Sequence, residues 1–378
     1  MRLLDSIFKK KVNIYKVSDF WAWFVKNEGA FNKMGNMPQE EAHQFLDTII
    51  EELNKYNPWL KAVSGQYDKN TTELIITADG DIALFTKVQE LIDKAPVLNG
   101  WKFTAHKPPV GLNNMAIRMY DKDFNEETLH FYPIIEEQYP DEVSLVLTHK
   151  DYNETEEEDF QTAMSIYVQN GLGEINAATQ IDDLSFGPEP DDTSVLIPIT
   201  KLNDYLTWRE KEFVEKCHSS AIELPEENFN IIEGQDDEDN VMVALVNLQY
   251  EHWPFKPMFG WLLSVTMDYT PEENGLPDEN TLHLLQLEET KIVELLTSKM
   301  DTLYTAIKTF KGSRIIYFYA KNYEQPSILM HTYLDAGAAT FDTSFFIEKD
   351  KYWRCLEEFW GLPEEEEDED EEEDEDEE

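Results

Sequence analysis

Residues 72–109 constrain the fold of this chain more tightly than any other stretch. Residues 74–78, LIITA, form a short apolar run with β-branched members, the pattern of a buried strand. Asp79-Gly80-Asp81 then turns the chain, and either aspartate is placed to cap a following helix. Leu84, Val88, Leu91, Ile92 and Ala95 recur at helical spacing and predict one buried helix face. Pro96, Asn99 and Gly100 end that helix, and residues 101–105, WKFTA, read as a second strand. The first half is expected to pack around this strand–helix–strand unit.

Upstream, Ser18 can cap a helix carrying Phe20, Trp21, Phe24 and Val25. After the breaker GNMP, Ala42, Phe45, Leu46, Ile49, Leu53 and Tyr56 predict a second helix. Residues 59–67 and 74–78 read as strands paired across the DKNTT turn. Downstream, strands are expected at 115–120, 128–135 and 143–149, a helix at 157–170 capped by Gly171, an edge strand at 181–186 and a helix at 201–217. The second half predicts strands at 229–233, 241–250 and 258–269, then a helix with Leu285, Ile292, Leu296 and Met300 on one face. A hairpin follows (303–310 and 314–320 around Lys311-Gly312), then a helix at 326–334, a strand at 340–347 and a closing helix at 352–360. The expected fold class is α+β: two mixed or antiparallel sheets with packed helices, the second domain ferredoxin-like. Expected boundaries are 1–220 and 221–362, with 363–378 as a disordered acidic tail.

Charge bears on partners. Thirty-one Lys and Arg face 78 Asp and Glu, a formal net charge of −47. Residues 364–378 are all acidic and hold 15 of those charges, leaving −32 on the other 363 residues. Such a surface repels nucleic acid and anionic membranes and favours a basic protein partner; solubility alone is the plainer explanation. Two cysteines, Cys217 and Cys355, offer no disulfide framework. The start, MRLLDSIFKKKVNIYK, is too short in apolar residues and too broken by Asp5 for a signal peptide. A cytoplasmic setting is expected, and the oligomeric state stays open.

Motifs supply little chemistry. Residues 151–156 open like a calcium loop, but Glu156 and Thr162 stand where Gly and Glu are needed. His43 and Asp47 lack a third ligand of suitable spacing. Gly171-Leu-Gly173-Glu174 follows a helix, where a dinucleotide loop would follow a strand. No cofactor, metal or catalytic residue is assigned. The binding candidates are Asp79 and Asp81 at a strand end, Trp253, Glu288 and Arg314.

The second half resembles domain-of-unknown-function family 695, through HWPF at 252–255, GLP at 275–277, Glu288 and GSRIIYFYA at 312–320. That resemblance implies possible fusion to a domain like regulator of ribonuclease E activity B, an acidic inhibitor with a ferredoxin-like fold. In the first half, ITADG, KAPVLNGWKF and NGLGE are similar to phrases in uncharacterised bacterial proteins. Neither resemblance carries a catalytic residue. The expected function is a cytoplasmic protein-binding regulator, inhibitor-like, acting through its acidic surface. The rivals are a hydrolase with a cleft between domains and a housekeeping protein whose acidity serves solubility.

Overall fold

The computed structural model describes residues 15–31, 39–217, 222–298 and 301–360. The GNMP breaker, the boundary near residue 220, Met300 and the acidic tail lie outside the described residues. The chain is α+β, with eight α-helices and four separate sheets among the described residues.

Two helices come first, α1 (Val17–Phe31) and α2 (Gln39–Tyr56). They lead to β1 (Lys61–Asp68), β2 (Thr71–Thr77), α3 (Ile82–Asp93) and β3 (Trp101–Ala105). The strands lie side by side in chain order, β1 antiparallel to β2 and β2 parallel to β3, so α3 is the crossover that parallel pairing requires. Aromatic residues anchor α1 on this unit. Phe24 meets Trp101 edge-on at 5.0 Å, Trp21 meets Phe103 at 4.7 Å, and the Trp21 indole donates to Leu91 O at 2.8 Å.

A small hairpin follows, β4 (Ala116–Met119) with β5 (Lys122–Asn125). Next come β6 (Leu129–Ile134), β7 (Ser144–His149), α4 (Glu157–Leu172), α5 (Glu174–Gln180), β8 (Asp183–Gly187), β9 (Ile197–Pro198) and α6 (Leu202–Cys217). These strands form a sheet in the order β8-β7-β6-β9, with β8 on an edge. Phe160, Ala163, Met164 and Tyr167 of α4 pack on it in a core of their own. The glycine that ends α4 is Gly173, at φ 82, rather than Gly171. Gly171 lies within the helix against Leu112, where an added Cβ would collide. Its packing role displaces the cap by two residues.

The second half builds one six-stranded antiparallel sheet from β10 (Phe229–Gln235), β11 (Val241–Asn247), β12 (Trp261–Asp268), β13 (Thr302–Phe310), β14 (Ser313–Ala320) and β15 (Asp342–Lys349). With α7 (Glu279–Thr297) and α8 (Glu324–Asp335), the run from β12 to β15 reads βαββαβ, and the sheet order is β10-β11-β13-β14-β12-β15. Leu285, Ile292 and Leu296 of α7 and Met330 of α8 cover Leu263, Val265, Ile316 and Phe318 on one face. That same core continues through Phe85 and Val88 of α3 to Phe20 and Phe24 of α1. The opposite face, with Ala306, Tyr317 and Tyr319, is closed by Trp253, Trp353 and Phe359.

The closing segment is a 3₁₀ helix at Arg354–Phe359, not an α-helix. Trp353 enters it at φ 63, its indole held by Lys256 O and Phe259 O at 3.2 and 3.1 Å. The Asp350 carboxylate already accepts from Arg354 N and Cys355 N at 2.8 and 3.1 Å.

Candidate functional site

The two halves meet closely where α3 faces α8. Small side chains allow the approach: Ser327 Oγ lies 2.9 Å from Ala83 O and 2.7 Å from Thr86 Oγ1. One turn further along α8, His331 Nε2 lies 2.7 Å from the same Ala83 oxygen. Asp81 sets where α3 begins, its carboxylate accepting from Ala83 N at 3.0 Å as the N-cap.

Beside this seam lies a cleft of about 740 Å³. Phe85, Ile175, Tyr323 and Ile328 give it apolar walls, and Ile175 and Ile328 are exposed. Glu90, Asp93, Glu324 and Asp335 set four carboxylates around it against one lysine, Lys87. Lys87 is buried, its amine in contact with Asp335 and 3.5 Å from Glu90. Its charge is thus spent internally; Lys94 pairs with Glu90 from one turn further on at 2.6 Å, which leaves Asp93 and Glu324 as the rim carboxylates without an ion pair among the described residues. Asp93 accepts from Gln89 Nε2 at 2.6 Å, and Glu324 has no ion pair among the described residues.

Two histidines also line the cleft. Burial pushes His331 below its ordinary pKa, against the Ala83 carbonyl and the acids Asp335 and Glu90. His106 follows β3 at φ 61, with its ring edge-on to Phe85 at 4.7 Å. Burial holds its pKa down as well, outweighing the Glu174 carboxylate 3.8 Å from Nδ1. That Nδ1 is buried without a hydrogen-bond partner.

Glu174 is fully buried behind His106 and organises the loop that carries the seam. Its carboxylate accepts from Thr77 Oγ1 at 2.6 Å and from the backbone N–H groups of Ala78, Gly80 and Lys107 at 3.0 Å each. A carboxylate given this many donors keeps its charge out of water, because each donor replaces a lost hydration contact.

None of the five residues proposed from sequence lines the cleft. Asp79 pairs with Lys61 at 2.6 Å and Lys107 at 2.5 Å; burial raises its carboxyl, but the two amines outweigh this and hold it below the usual range. Asp81 caps α3, and burial lifts its carboxyl. Trp253 is buried among Tyr250, Phe259 and Trp353 and donates to Glu223 O at 2.8 Å. Glu288 is buried on α7, receiving the Tyr333 hydroxyl, Thr340 N at 3.0 Å and Thr340 Oγ1 at 2.8 Å. Arg314 ties β14 to α7, with Nε and Nη2 on Glu289 at 3.0 and 2.6 Å and Nη1 on Thr309 Oγ1 at 2.6 Å.

The cleft residues that sequence reasoning missed are His106, His331, Lys87 and Glu90, with Glu174 behind them. Lys87 and Glu90 are three apart on α3, but the histidines and Glu174 come from segments far from it in the chain, so no local spacing could have gathered the set. His43 and Asp47 are exposed on α2, and among the described residues no cluster of three or more His, Cys, Asp or Glu could hold a metal ion. No described helix is long and apolar enough to cross a membrane.

Residues 238–360 match the model of a family of unknown function (DUF695). The match takes in β11 to β15, α7 and α8, so α8 lies inside the matched region and α3 outside it. No curated protein and no solved structure matches the chain.

Proposed function

We propose that this protein is a cytoplasmic binding protein of regulatory, inhibitor-like type, which takes a basic protein partner on its acidic surface. The observation that carries this reading is the cleft rim, where four carboxylates outnumber the two lysines paired with them, Lys87 and Lys94, and Asp93 and Glu324 stand without an ion pair among the described residues near exposed isoleucines. Opposite charge steers encounter and selects the partner, while apolar contact at the centre supplies most of the affinity. Trp59, Tyr67, Trp208 and Phe346 are further exposed rings available for contact. The second half enters this reading as a ferredoxin-like unit, supported by its βαββαβ order and by both helices sharing one face. Its single described cysteine, Cys355, is pushed up to about 12 by burial and neighbouring carboxylates, which suits an unreactive thiol in a reducing compartment.

The test is affinity capture on immobilised protein from the native cytosol at low and high salt. A basic protein retained at ~50 mM salt and released by ~500 mM is the expected result, since screening lengths fall from over 10 Å to under 5 Å across that range. Glu324→Lys with Asp93→Lys should release it at lower salt. Capture that is indifferent to both salt and these reversals would refute the reading.

A hydrolase is the second reading, favoured by His106 and His331 standing with carboxylates in one cleft between the halves. Against it, His331 is committed to the Ala83 carbonyl through Nε2. Turnover of ester, amide or phosphate test substrates that disappears in His106→Gln would establish it.

A further inference from the structure

We infer that a cavity lined by α5, α6 and the end of β15 takes a free α-amino acid with an apolar side chain. It measures about 380 Å³, within the ~300–1,000 Å³ of small-ligand sites, and shares no lining residue with the α3–α8 cleft. Trp261 of β12 and Leu206 and Phe213 of α6 give it apolar walls. Arg209, Lys349 and Lys351 bring three cations to it, in a chain of net charge −47. The first half supplies the arginine and the second half both lysines, so the site is made by the joining of the halves.

The cations leave donors over. Asp182 is one carboxylate shared by two ammonium groups, 3.1 Å from Lys349 Nζ and 2.8 Å from Lys351 Nζ. Lys349 also donates to Thr179 O at 2.7 Å and Lys351 to Asp141 O at 2.6 Å, so two contacts face the three N–H groups that each ammonium carries. Arg209 is held in place by backbone carbonyls, Nη2 donating to Pro140 O and Glu142 O at 2.6 and 3.0 Å, with Nη1 3.3 Å from Glu212. Its Nε is buried with no hydrogen-bond partner among the described residues. A buried N–H without an acceptor is costly, and a ligand carboxylate supplies the missing oxygens.

The same cavity has acceptors to spare, and they stand side by side. Glu210 lines it with no ion pair among the described residues, and its carboxylate lies 3.5 Å from Gln180 Nε2. Gln180 Oε1 is buried and accepts no hydrogen bond among the described residues. A ligand ammonium group donates to both of these oxygens. With Asp182 on the lysines and Glu212 on Arg209, the three cations are matched by three carboxylates, Glu210 being the third. A ligand with net charge of either sign would upset that balance in a half-closed site, whereas a zwitterion keeps it and meets both sets of unused groups. Its apolar side chain then has Trp261, Leu206 and Phe213 to lie against.

The experiment titrates the full chain with L-leucine and L-phenylalanine by calorimetry. Each is compared with the analogues that keep its side chain and only one of its charges: isocaproate and isoamylamine for leucine, hydrocinnamate and phenethylamine for phenylalanine. Expected is saturable binding of at least one amino acid, with both of its analogues weaker by about tenfold or more, since each has lost hydrogen bonds to charged groups. Glu210→Gln, at an exposed position, should weaken the amino acid by about tenfold and erase its advantage over the amine-free acid. A melting curve of that variant without ligand separates loss of the site from loss of the fold. No binding of either amino acid would overturn the assignment. So would a singly charged analogue that binds as tightly as its amino acid, or a folded Glu210→Gln chain with wild-type affinity.

Discussion

His331 Nε2 stands 2.7 Å from Ala83 O, across the seam between α8 and α3. A carbonyl oxygen only accepts, so Nε2 carries the proton and the neutral ring keeps its lone pair on Nδ1. Ser327 Oγ lies 2.9 Å from the same oxygen, so two side chains one helical turn apart hold the first turn of α3. The cleft exists where it does because this pair of helices is registered there by hydrogen bonds rather than by apolar packing alone.

Acid should loosen this seam. Burial depresses the pKa of His331 below its ordinary 6.5, so the native ring resists a proton that the unfolded chain accepts. Its contribution to stability is present in full above pH 6.5 and is lost as pH falls from there through the depressed native value. The groups facing it are Lys87, Glu90, Asp335 and the Phe345 ring. Melting temperature should therefore drop between pH 7 and pH 5, and His331→Phe should drop less over the same range. The variant itself should cost roughly 1 kcal/mol at pH 7, one net hydrogen bond, because Ser327 still serves Ala83 O. Equal pH slopes for both proteins would refute this role for His331.

Glu174 should matter more than any surface acid. It accepts four hydrogen bonds with no exposure, three of them from backbone groups that have nowhere else to turn. Glu174→Gln sets an amide N–H₂ against one pair of these donors and should cost roughly 1–3 kcal/mol for the groups left unpaired. Glu174→Ala should cost more. Chemical denaturation of both variants measures this, and a loss of only a few tenths for Glu174→Gln would refute it.

Glu288 plays a comparable part in the second half, though on a different joint. It fastens α7 to Tyr333 of α8 and to Thr340 before β15. Burial pushes its carboxyl up, but the Tyr333 and Thr340 hydrogen bonds outweigh that and hold it below 4.5. Its stabilisation is thus present above pH 4.5 and lost as pH falls through the depressed native value. Glu288→Ala should lower stability by roughly 1–3 kcal/mol, because the Tyr333 hydroxyl and the Thr340 donors lose their acceptor. Thr340→Val should cost about 1 kcal/mol, since Thr340 N still donates to the same carboxylate. A Glu288→Ala chain with wild-type urea midpoint would refute the assignment.

Much of the α+β architecture was legible because its signals are local. Leu84, Val88 and Leu91 announced α3 by period alone, and the RIIYFYA run announced β14. The short α5 was missed, since Glu174-Ile-Asn-Ala-Ala-Thr-Gln holds too few apolar residues to show a face. Its first residue is the buried Glu174, which a sequence pattern reads as solvated because acids usually are. The cleft was illegible for a related reason: it is made by α3 and α8 meeting across 241 residues, as between Thr86 and Ser327. Glu288 and Asp81 were singled out from sequence, but their surroundings are a buried junction and a helix cap.

The last prediction concerns the two halves, proposed as separate folding units divided near residue 220. Each has sheets of its own, and no strand of one half pairs with a strand of the other among the described residues. Yet one hydrophobic core includes Phe85 and Val88 from the first half with Leu263, Ile316 and Ile347 from the second. Lys349 and Lys351 of the second half also reach Asp182 of the first, at 3.1 and 2.8 Å with little exposure. Chains cut between residues 217 and 222 should therefore remain associated when produced together, since burial of apolar area at ~25 cal/mol per Å² favours the joined state. Asp182→Ala leaves two buried amines without their carboxylate and should weaken that association by roughly 3–5 kcal/mol. Size-exclusion chromatography of the co-expressed pieces is the measurement. If they elute apart, each folded, the shared core is not what joins the halves.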